Sequence, residues 1–151
     1  MSFLKESNTI SGKEGTAYAT INGSIEELMY VKSVEATVEK QKEDVPVLGK
    51  RGIGTKSNGF KGKGTLKIYY VTSVFRQIMS NYAKTGSDVY FDLQITNEDP
   101  SSATGKQTTV LKDCNLDSVV IAKLDVESTS MDEEVPFTFS NFEILDSFNT
   151  L

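Results

Sequence analysis

Alternation of apolar and polar residues along several short segments is the feature that most limits how this chain can fold. It is clearest at 89–96, where Val, Phe, Leu and Ile alternate with Tyr, Asp, Gln and Thr. Because successive side chains of a strand point to opposite faces, this period places one face in the core and the other in solvent. Segments that alternate in this way, or are rich in β-branched and aromatic residues, also occur at 15–22, 28–39, 65–71, 107–113, 118–127 and 135–144. The sequence therefore predicts about seven strands.

One segment departs from this period and predicts a helix at 73–85. Thr72 or Ser73 can cap its N-terminus, and Gly86 stands where a left-handed residue often ends a helix. Its apolar residues fall at helical spacing and form one stripe: Val74, Phe75, Ile78, Met79 and Tyr82. We expect the last four of these to be core residues and expect three polar residues to face outward: Arg76, Asn81 and Lys84.

These elements together indicate a fold class. About seven strands and one helix fit a mainly β fold, a β-sandwich or barrel-like domain with the α-helix packed on one side. A length of 151 residues fits one domain, and the sequence has no internal repeat or linker. We therefore predict that 1–151 is a single domain.

The segment 49–64 is glycine-rich and basic. It holds six of the chain's 11 glycines. Glycine loses the most backbone freedom on folding, so this composition predicts a long flexible loop that is functional or disordered. We expect the loop to become ordered only against a neighbouring molecule. Its basic and apolar side chains are Lys50, Arg51, Ile53, Lys56, Phe60, Lys61 and Lys63.

The same glycines do not form a nucleotide-binding motif. Gly54 and Gly59 have the spacing of a phosphate-binding loop, but Phe60 follows where that motif requires lysine. Gly52 and Gly54 lack the third glycine of a dinucleotide fingerprint, because Ser57 occupies its place. The segment also precedes a predicted strand instead of a helix, so we predict no nucleotide cofactor.

The composition argues against an enzyme. The chain contains no histidine and one cysteine, which removes the commonest general base and every Ser–His or Cys–His pair. Cys114 is expected to be a small core residue. The acidic groups at 132–134 and around Asp92, Glu98 and Asp99 lack the spacing of a known calcium loop, so we interpret them as solvated turns. We predict no catalytic residues, no metal site and no cofactor.

The chain also lacks targeting features. It has no apolar run long enough to cross a membrane, and its first residues do not resemble a signal peptide. We therefore expect synthesis in the cytoplasm and no membrane anchor.

Charge is unevenly distributed along the chain. Residues 45–87 carry eight basic and no acidic side chains, whereas 113–151 carry one basic and nine acidic ones. This asymmetry fits a surface that pairs with a copy of itself. It also fits a small nucleic-acid-binding module that uses the basic 50–67 segment and nearby aromatic residues. The net charge of −5 and the absence of a known nucleic-acid motif disfavour the second interpretation.

Several segments, taken in order, resemble the tail-tube (tail core) proteins of PBSX-like prophages and of related contractile phage-tail-like bacteriocins. The similarity includes Gly62-Lys63-Gly64-Thr65 and the run from Glu133 to Phe139, and it extends through nearly the whole chain. The similar segments are 8–15, 34–40, 49–52, 62–65, 71–75, 84–88, 121–126 and 133–139.

The resemblance implies a phage tail-tube fold and a structural function. Copies would form hexameric rings that stack into the inner tube of a contractile tail. Partners would be the chain itself, the tail sheath protein, baseplate and tail-terminator proteins, with DNA passing through the lumen in a phage. Assembly would take place in the host cytoplasm before the protein resides in the particle. The glycine-rich loop would supply the subunit contacts through Lys50, Arg51, Ile53, Lys56, Phe60, Lys61 and Lys63.

Overall fold

The computed structural model describes residues 3–151 and is mainly β with one α-helix in that range. A short 3-10 turn at Glu6–Asn8 precedes the first strand. The elements are β1 (Gly15–Ile21), β2 (Ser24–Glu27), β3 (Val31–Val45), β4 (Gly54–Tyr69), α1 (Val74–Thr85), β5 (Phe91–Glu98), β6 (Lys106–Leu116), β7 (Asp132–Phe139) and β8 (Asn141–Asp146). The predicted fold class is therefore confirmed.

The strands form two antiparallel sheets that share β6. One sheet has the order β2-β1-β5-β6-β8, and the other has the order β6-β7-β4-β3. The change of sheet occurs at Asp113, which has a φ of 56°. The Asp113 N–H donates to the Asp92 carboxylate at 3.3 Å, and its own carboxylate accepts from the Ser140 hydroxyl at 3.2 Å. A bent strand that passes from one sheet to the next closes the corner of a sandwich.

The core lies between the two sheets and beneath α1. The helix contributes Phe75, whose ring centroid lies 6.2 Å from that of Phe91, and Ile78. Met79 is half-buried, and Tyr82 is 48% exposed, so the prediction that Tyr82 is a core residue is wrong. Tyr82 instead borders an open groove beside Leu116. The largest fully buried side chains are Phe75, Phe91, Phe137, Leu66, Ile68, Leu93, Val135 and Cys114.

The predicted helix ends are confirmed. The Thr72 hydroxyl accepts a hydrogen bond from the Val74 N–H at 3.3 Å, whereas Ser73 makes no side-chain capping bond. Gly86 has a φ of 74°, and its N–H donates to the Tyr82 carbonyl at 2.8 Å. This left-handed residue satisfies a carbonyl at the end of the helix.

The pair Asn22-Gly23, a sequence that strongly favours a two-residue hairpin turn, forms such a turn and continues into a strand that the sequence did not reveal. Both turn residues have positive φ, 52° and 81°, as a tight two-residue hairpin turn requires. The turn pairs Ile21 with Ser24 and begins β2. All of β2 is exposed, so it carries no apolar alternation that would predict it.

The expectation of a flexible loop at 49–64 is wrong for most of that segment. From Gly54 onward the segment is strand β4, which pairs with β3 from Val45↔Gly54 to Val31↔Ile68. The polar stretch at 40–44, expected to end the preceding strand, belongs to β3. The two strands form one long hairpin whose tip is 46–53.

Two of the segment's glycines have a packing role instead of a flexible one. Gly62 and Gly64 lie directly opposite Phe139 and Phe137 on β7. A Cβ at Gly62 would lie 2.4 Å from the Phe139 ring, and one at Gly64 would lie 2.6 Å from the Phe137 ring. The two aromatic rings therefore occupy the space that side chains on β4 would need, as in aromatic rescue of strand glycines.

The strand predicted at 118–127 does not form. The Asp117 N–H still donates to the Pro136 carbonyl at 2.9 Å, continuing the ladder along β7. Beyond it, the Val120 carbonyl accepts a hydrogen bond from the Arg76 side chain instead of from a neighbouring strand. Residues 118–127 form an irregular connection that is exposed except at the half-buried Val119 and Val120. The last predicted strand, 135–144, is in fact two strands separated at Ser140.

We expect Gly62→Ala to destabilise the protein by about 1–3 kcal/mol, because the new methyl group overlaps the buried ring of Phe139. The matched control is Gly52→Ala in the hairpin tip, where no atom lies within 4 Å of the new Cβ and φ is not positive. Urea unfolding of both variants measures the difference. Equal unfolding midpoints for the two variants would show that the packing of the Phe139 ring does not require glycine at position 62.

Candidate subunit-contact surface

The outer part of the β3–β4 hairpin projects from the body of the protein. The last β4 residue that pairs with β7 is Gly62, opposite Phe139. Beyond it, residues 39–45 and 54–61 pair only with each other. We call residues 39–61 the arm. Eight strand residues at 3.3 Å each give it a reach of roughly 25 Å.

A bulge bends the arm near its base. Lys40 pairs with Phe60 and Lys42 pairs with Ser57, so two β4 residues stand opposite one β3 residue. Gly59 in the bulge has a φ of 99°, and Asn58 donates to the Glu43 carboxylate at 3.1 Å. A bulge of this kind increases the local twist and redirects the strands that leave it.

Aromatic contacts fix the base of the arm to the body. The Phe60 ring meets Phe142 of β8 edge-on, with centroids 6.0 Å apart. Phe142 also contacts Phe139 edge-on at 6.5 Å. Such pairs add roughly 0.5–1.5 kcal/mol each beyond their buried area. The arm therefore leaves the body from a defined position.

The structure brings all seven predicted contact residues onto this hairpin. Lys50 and Arg51 lie in the tip, and Ile53 directly precedes β4. Lys56, Phe60 and Lys61 lie on the β4 side of the arm. Lys63 lies in the body, between Thr37 of β3 and Thr138 of β7. All seven are exposed at the residue level.

The arm also carries acidic residues. They lie apart from the basic residues in the sequence but opposite them in the paired strands. Glu43 stands opposite Lys56, and Glu39 stands opposite Lys61. Residues 31–69 together carry nine basic and four acidic side chains. The basic block therefore has some acidic residues opposite it within its own hairpin, whereas no strand residue stands opposite Lys50 or Arg51 in the tip.

Sequence reasoning missed the apolar character of the tip. Leu48 is fully exposed, and Val47 and Ile53 are more than half exposed. Exposed apolar side chains at the end of a projecting hairpin are typical of an interaction site. The polar composition of the surrounding residues hides this cluster in the sequence.

On the opposite side of the molecule, a buried ion pair joins α1 to β7. Arg76 Nη1 lies 2.5 Å from Glu133 Oε2, and their side chains are 15% and 1% exposed. Arg76 also donates to the Thr72 and Val120 carbonyls and stacks on the Tyr70 ring at 4.4 Å. The predictions of an outward Arg76 and of a solvated acidic turn at 132–134 are therefore wrong.

A second acidic residue also has a structural role. Asp99 is 7% exposed and accepts hydrogen bonds from the Ser101 hydroxyl and from the Ser11 and Ser101 N–H groups. These bonds, that of the Ser101 hydroxyl first, lower the pKa of the Asp99 carboxyl. The Asn8 side chain accepts from the Ala103 N–H nearby. Asp99 therefore ties the segment before β1 to the loop after β5.

The described residues present little that favours catalysis. Burial raises the pKa of the Cys114 thiol to about 12, which keeps it protonated and unreactive. Residues 3–151 contain no group of three or more Cys, Asp or Glu side chains placed to hold a metal ion. Within the same range, α1 is too short and polar to cross a membrane.

An exposed apolar cluster beside two cations at the end of a hairpin is typical of a surface that contacts other proteins. Comparison with known proteins gives the class: the chain belongs to the phage tail tube protein family, which it matches over residues 2–146. The resemblance noted in the sequence is thus confirmed.

Particular relatives agree with this assignment. The chain is 48% identical over 141 residues to the phage-like element PBSX protein XkdM of Bacillus subtilis, covering 93% of both chains. It has the same fold as a chain in the cryo-EM structure of the anti-feeding prophage baseplate, with a TM-score of 0.65, 11% identity and coverage of 96% and 97%. A chain of the PVC extracellular contractile injection system, from its sheath–tube complex, matches with a TM-score of 0.61, 12% identity and coverage of 85% and 86%. The nucleic-acid-binding alternative receives no support from these comparisons.

We expect Arg76→Met to destabilise the protein by about 3–5 kcal/mol, because it leaves the buried Glu133 carboxylate without its partner. The control is Lys32→Met, which breaks the exposed Lys32–Asp132 pair and should cost much less, because solvent screens exposed ion pairs. The double variant Arg76→Met, Glu133→Leu should regain much of the loss, since no buried charge remains. Chemical unfolding measures all three, and similar losses for Arg76→Met and Lys32→Met would contradict the assignment.

We expect the Asp99 interactions to weaken in acid. Because the folded-state pKa of Asp99 lies below its ordinary value of 3.8, its contribution is present above that pH and is lost as pH falls through the folded value. Asp99→Asn should therefore lower the melting temperature near neutral pH and flatten its fall in acid. Melting curves between about pH 2.5 and 7 test this, with Asp44→Asn on the exposed arm as control. If the melting temperature of Asp99→Asn fell in acid as that of the wild type does, the stabilising role of the Asp99 carboxylate would be refuted.

Proposed function

We propose that this protein is the structural subunit of the inner tube of a contractile phage tail or phage-tail-like particle, and that its copies stack as hexameric rings. Membership of the phage tail tube family along almost the whole chain carries this proposal. The similarity to a chain of a six-fold symmetrised baseplate supports the ring symmetry. Identical subunits that contact through two different surfaces form rings or open filaments.

We infer that the β3–β4 hairpin provides contacts between subunits through Lys50, Arg51, Ile53, Lys56, Phe60 and Lys61 of the arm and through Lys63 in the body beside it. The arm buries few of its own residues, and a two-stranded ribbon is marginally stable alone in water. Contact with another copy would cover Leu48 and Ile53 and would add acidic partners to the unopposed charges of the tip. Contact with another copy would thus stabilise the arm.

The remaining parts of the proposal concern location and partners. The chain would be a non-enzymatic component that assembles in the host cytoplasm and ends in the particle. The sheath protein would cover the tube, and baseplate and terminator proteins would contact its two ends. Similarity to chains of a baseplate and of a sheath–tube complex supports this arrangement.

Excision of the arm tests the proposal. Glu39 and Lys61 are paired residues, so replacing 40–60 with Asn-Gly closes the hairpin through a two-residue turn. We expect a folded protein that remains monomeric, whereas the wild type forms rings or tubes. Far-UV circular dichroism reports folding, and sedimentation with negative-stain microscopy reports assembly.

The control variant, Lys84→Gln, keeps the arm and changes an exposed residue of the helix. This variant should assemble as the wild type does. Tubes from the arm-less protein would overturn the assigned role of the arm. A wild-type protein that never assembles across a wide concentration range would overturn the tube-subunit function itself.

A further inference from the structure

A groove of about 330 Å³ lies between α1 and the end of β6, and none of the residues of this chain described by the structure fills it. Its apolar wall consists of Ile78, Met79, Tyr82 and Leu116. Tyr82 leaves 48% of its surface in water there, although it belongs to the apolar stripe of the helix. The groove therefore combines polar surface with apolar surface that comes mainly from Met79 and Tyr82, because Ile78 and Leu116 are each only 8% exposed.

Two carboxylates stand at the edge of this groove. Asp88 and Asp117 both line it and both are exposed. Asp88 already accepts a hydrogen bond from the Asn115 amide at 2.9 Å, which holds it in place. No basic residue lines the groove, so it is unsuited to a phosphate or a nucleic acid. The combination suits an apolar side chain with a cationic group close by.

The tip of the arm has this composition. Leu48 is fully exposed, and Lys50 and Arg51 follow two and three residues later. The Lys50 N–H donates to the Val47 carbonyl at 3.2 Å across Gly49, which has a φ of 82°. This turn keeps the apolar residue and the two cations together at one end of the arm.

The two surfaces cannot meet within one molecule as it is folded. The tip is carried away from the body by paired strands, and their base is fixed by Phe60 against Phe142. Leu48 accordingly touches nothing that reduces its exposure. A second copy of the chain, however, offers the same groove to this tip.

We propose that the arm tip of one copy docks in the α1–β6 groove of a second copy. Leu48 packs against Met79 and Tyr82, and Lys50 and Arg51 approach Asp88 and Asp117. This inference rests on the proposed function and names the receiving surface for the arm. Because tip and groove are different surfaces, each copy gives one contact and receives one, as polymer growth requires.

Cross-linking tests the contact directly. Leu48→Cys and Tyr82→Cys are introduced into one chain; the buried Cys114 thiol does not interfere. Under mild oxidation of assembled protein we expect a ladder of covalent oligomers. The control pair is Leu48→Cys with Leu124→Cys. Leu124 is more exposed than Tyr82, at 96% against 48%, but lies outside the groove, so this pair should give no ladder.

Mixing two singly substituted chains establishes which copy supplies the arm tip and which supplies the groove. Chains with only Leu48→Cys and chains with only Tyr82→Cys, assembled together, should give covalent dimers of one copy of each. If the assemblies form normally but the groove pair gives no more cross-linking than the Leu124 control, the docking inference is wrong and the tube-subunit function is unaffected. If unmodified protein does not assemble, the proposed function fails instead.

Charge reversal provides a test that needs no cross-link. Asp117→Lys should slow assembly by roughly tenfold or more, because it places a cation against Lys50 and Arg51. Glu127→Lys makes the same charge change on an exposed residue outside the groove and should assemble nearly as the wild type does. Adding Arg51→Glu to Asp117→Lys should restore much of the rate. Equal rates for Asp117→Lys and Glu127→Lys, or no recovery in the double variant, would contradict the proposal.

Discussion

The packing of two phenylalanine rings over two glycines is the contact on which the second sheet depends. Phe137 and Phe139 lie across the β4 backbone at Gly64 and Gly62, where any side chain would overlap them. The same rings bring β7 against β4 on one side, and Phe137 stands opposite Leu116 of β6 on the other. Strand order, the position of the core and the departure point of the arm all follow from this arrangement.

The Arg76–Glu133 pair is a second contact that joins distant parts of the chain. Arg76 connects α1 to β7 and donates to the Val120 carbonyl in the irregular segment after β6. Phe75 packs against Phe91 and holds the same helix over the core. A groove remains between the helix and the end of β6.

Assembly properties then follow from where unsatisfied groups are left. The body satisfies its own core, but the arm tip keeps an apolar side chain and two cations in water, and the groove keeps an apolar wall beside two carboxylates. We propose that a second copy covers both surfaces. Basic and acidic residues that look separate in the sequence stand opposite one another at Glu39–Lys61 and Glu43–Lys56 once β3 and β4 pair.

The sequence by itself determined the elements whose causes are local. Strand 91–98 follows from the period of two, the helix from its stripe and its terminal Gly86, and the first hairpin from Asn22-Gly23. The seven contact residues could also be placed in one segment. Only the tertiary structure decided whether that segment was a loop or a strand, because a glycine is flexible alone and rigid beneath a ring that comes from far along the chain. The tertiary structure alone brought Arg76 to Glu133 and placed the groove beside Tyr82. These contacts join residues that are far apart in the sequence and form no recognisable pattern there. Their burial and pairing therefore follow only from the way the two sheets pack.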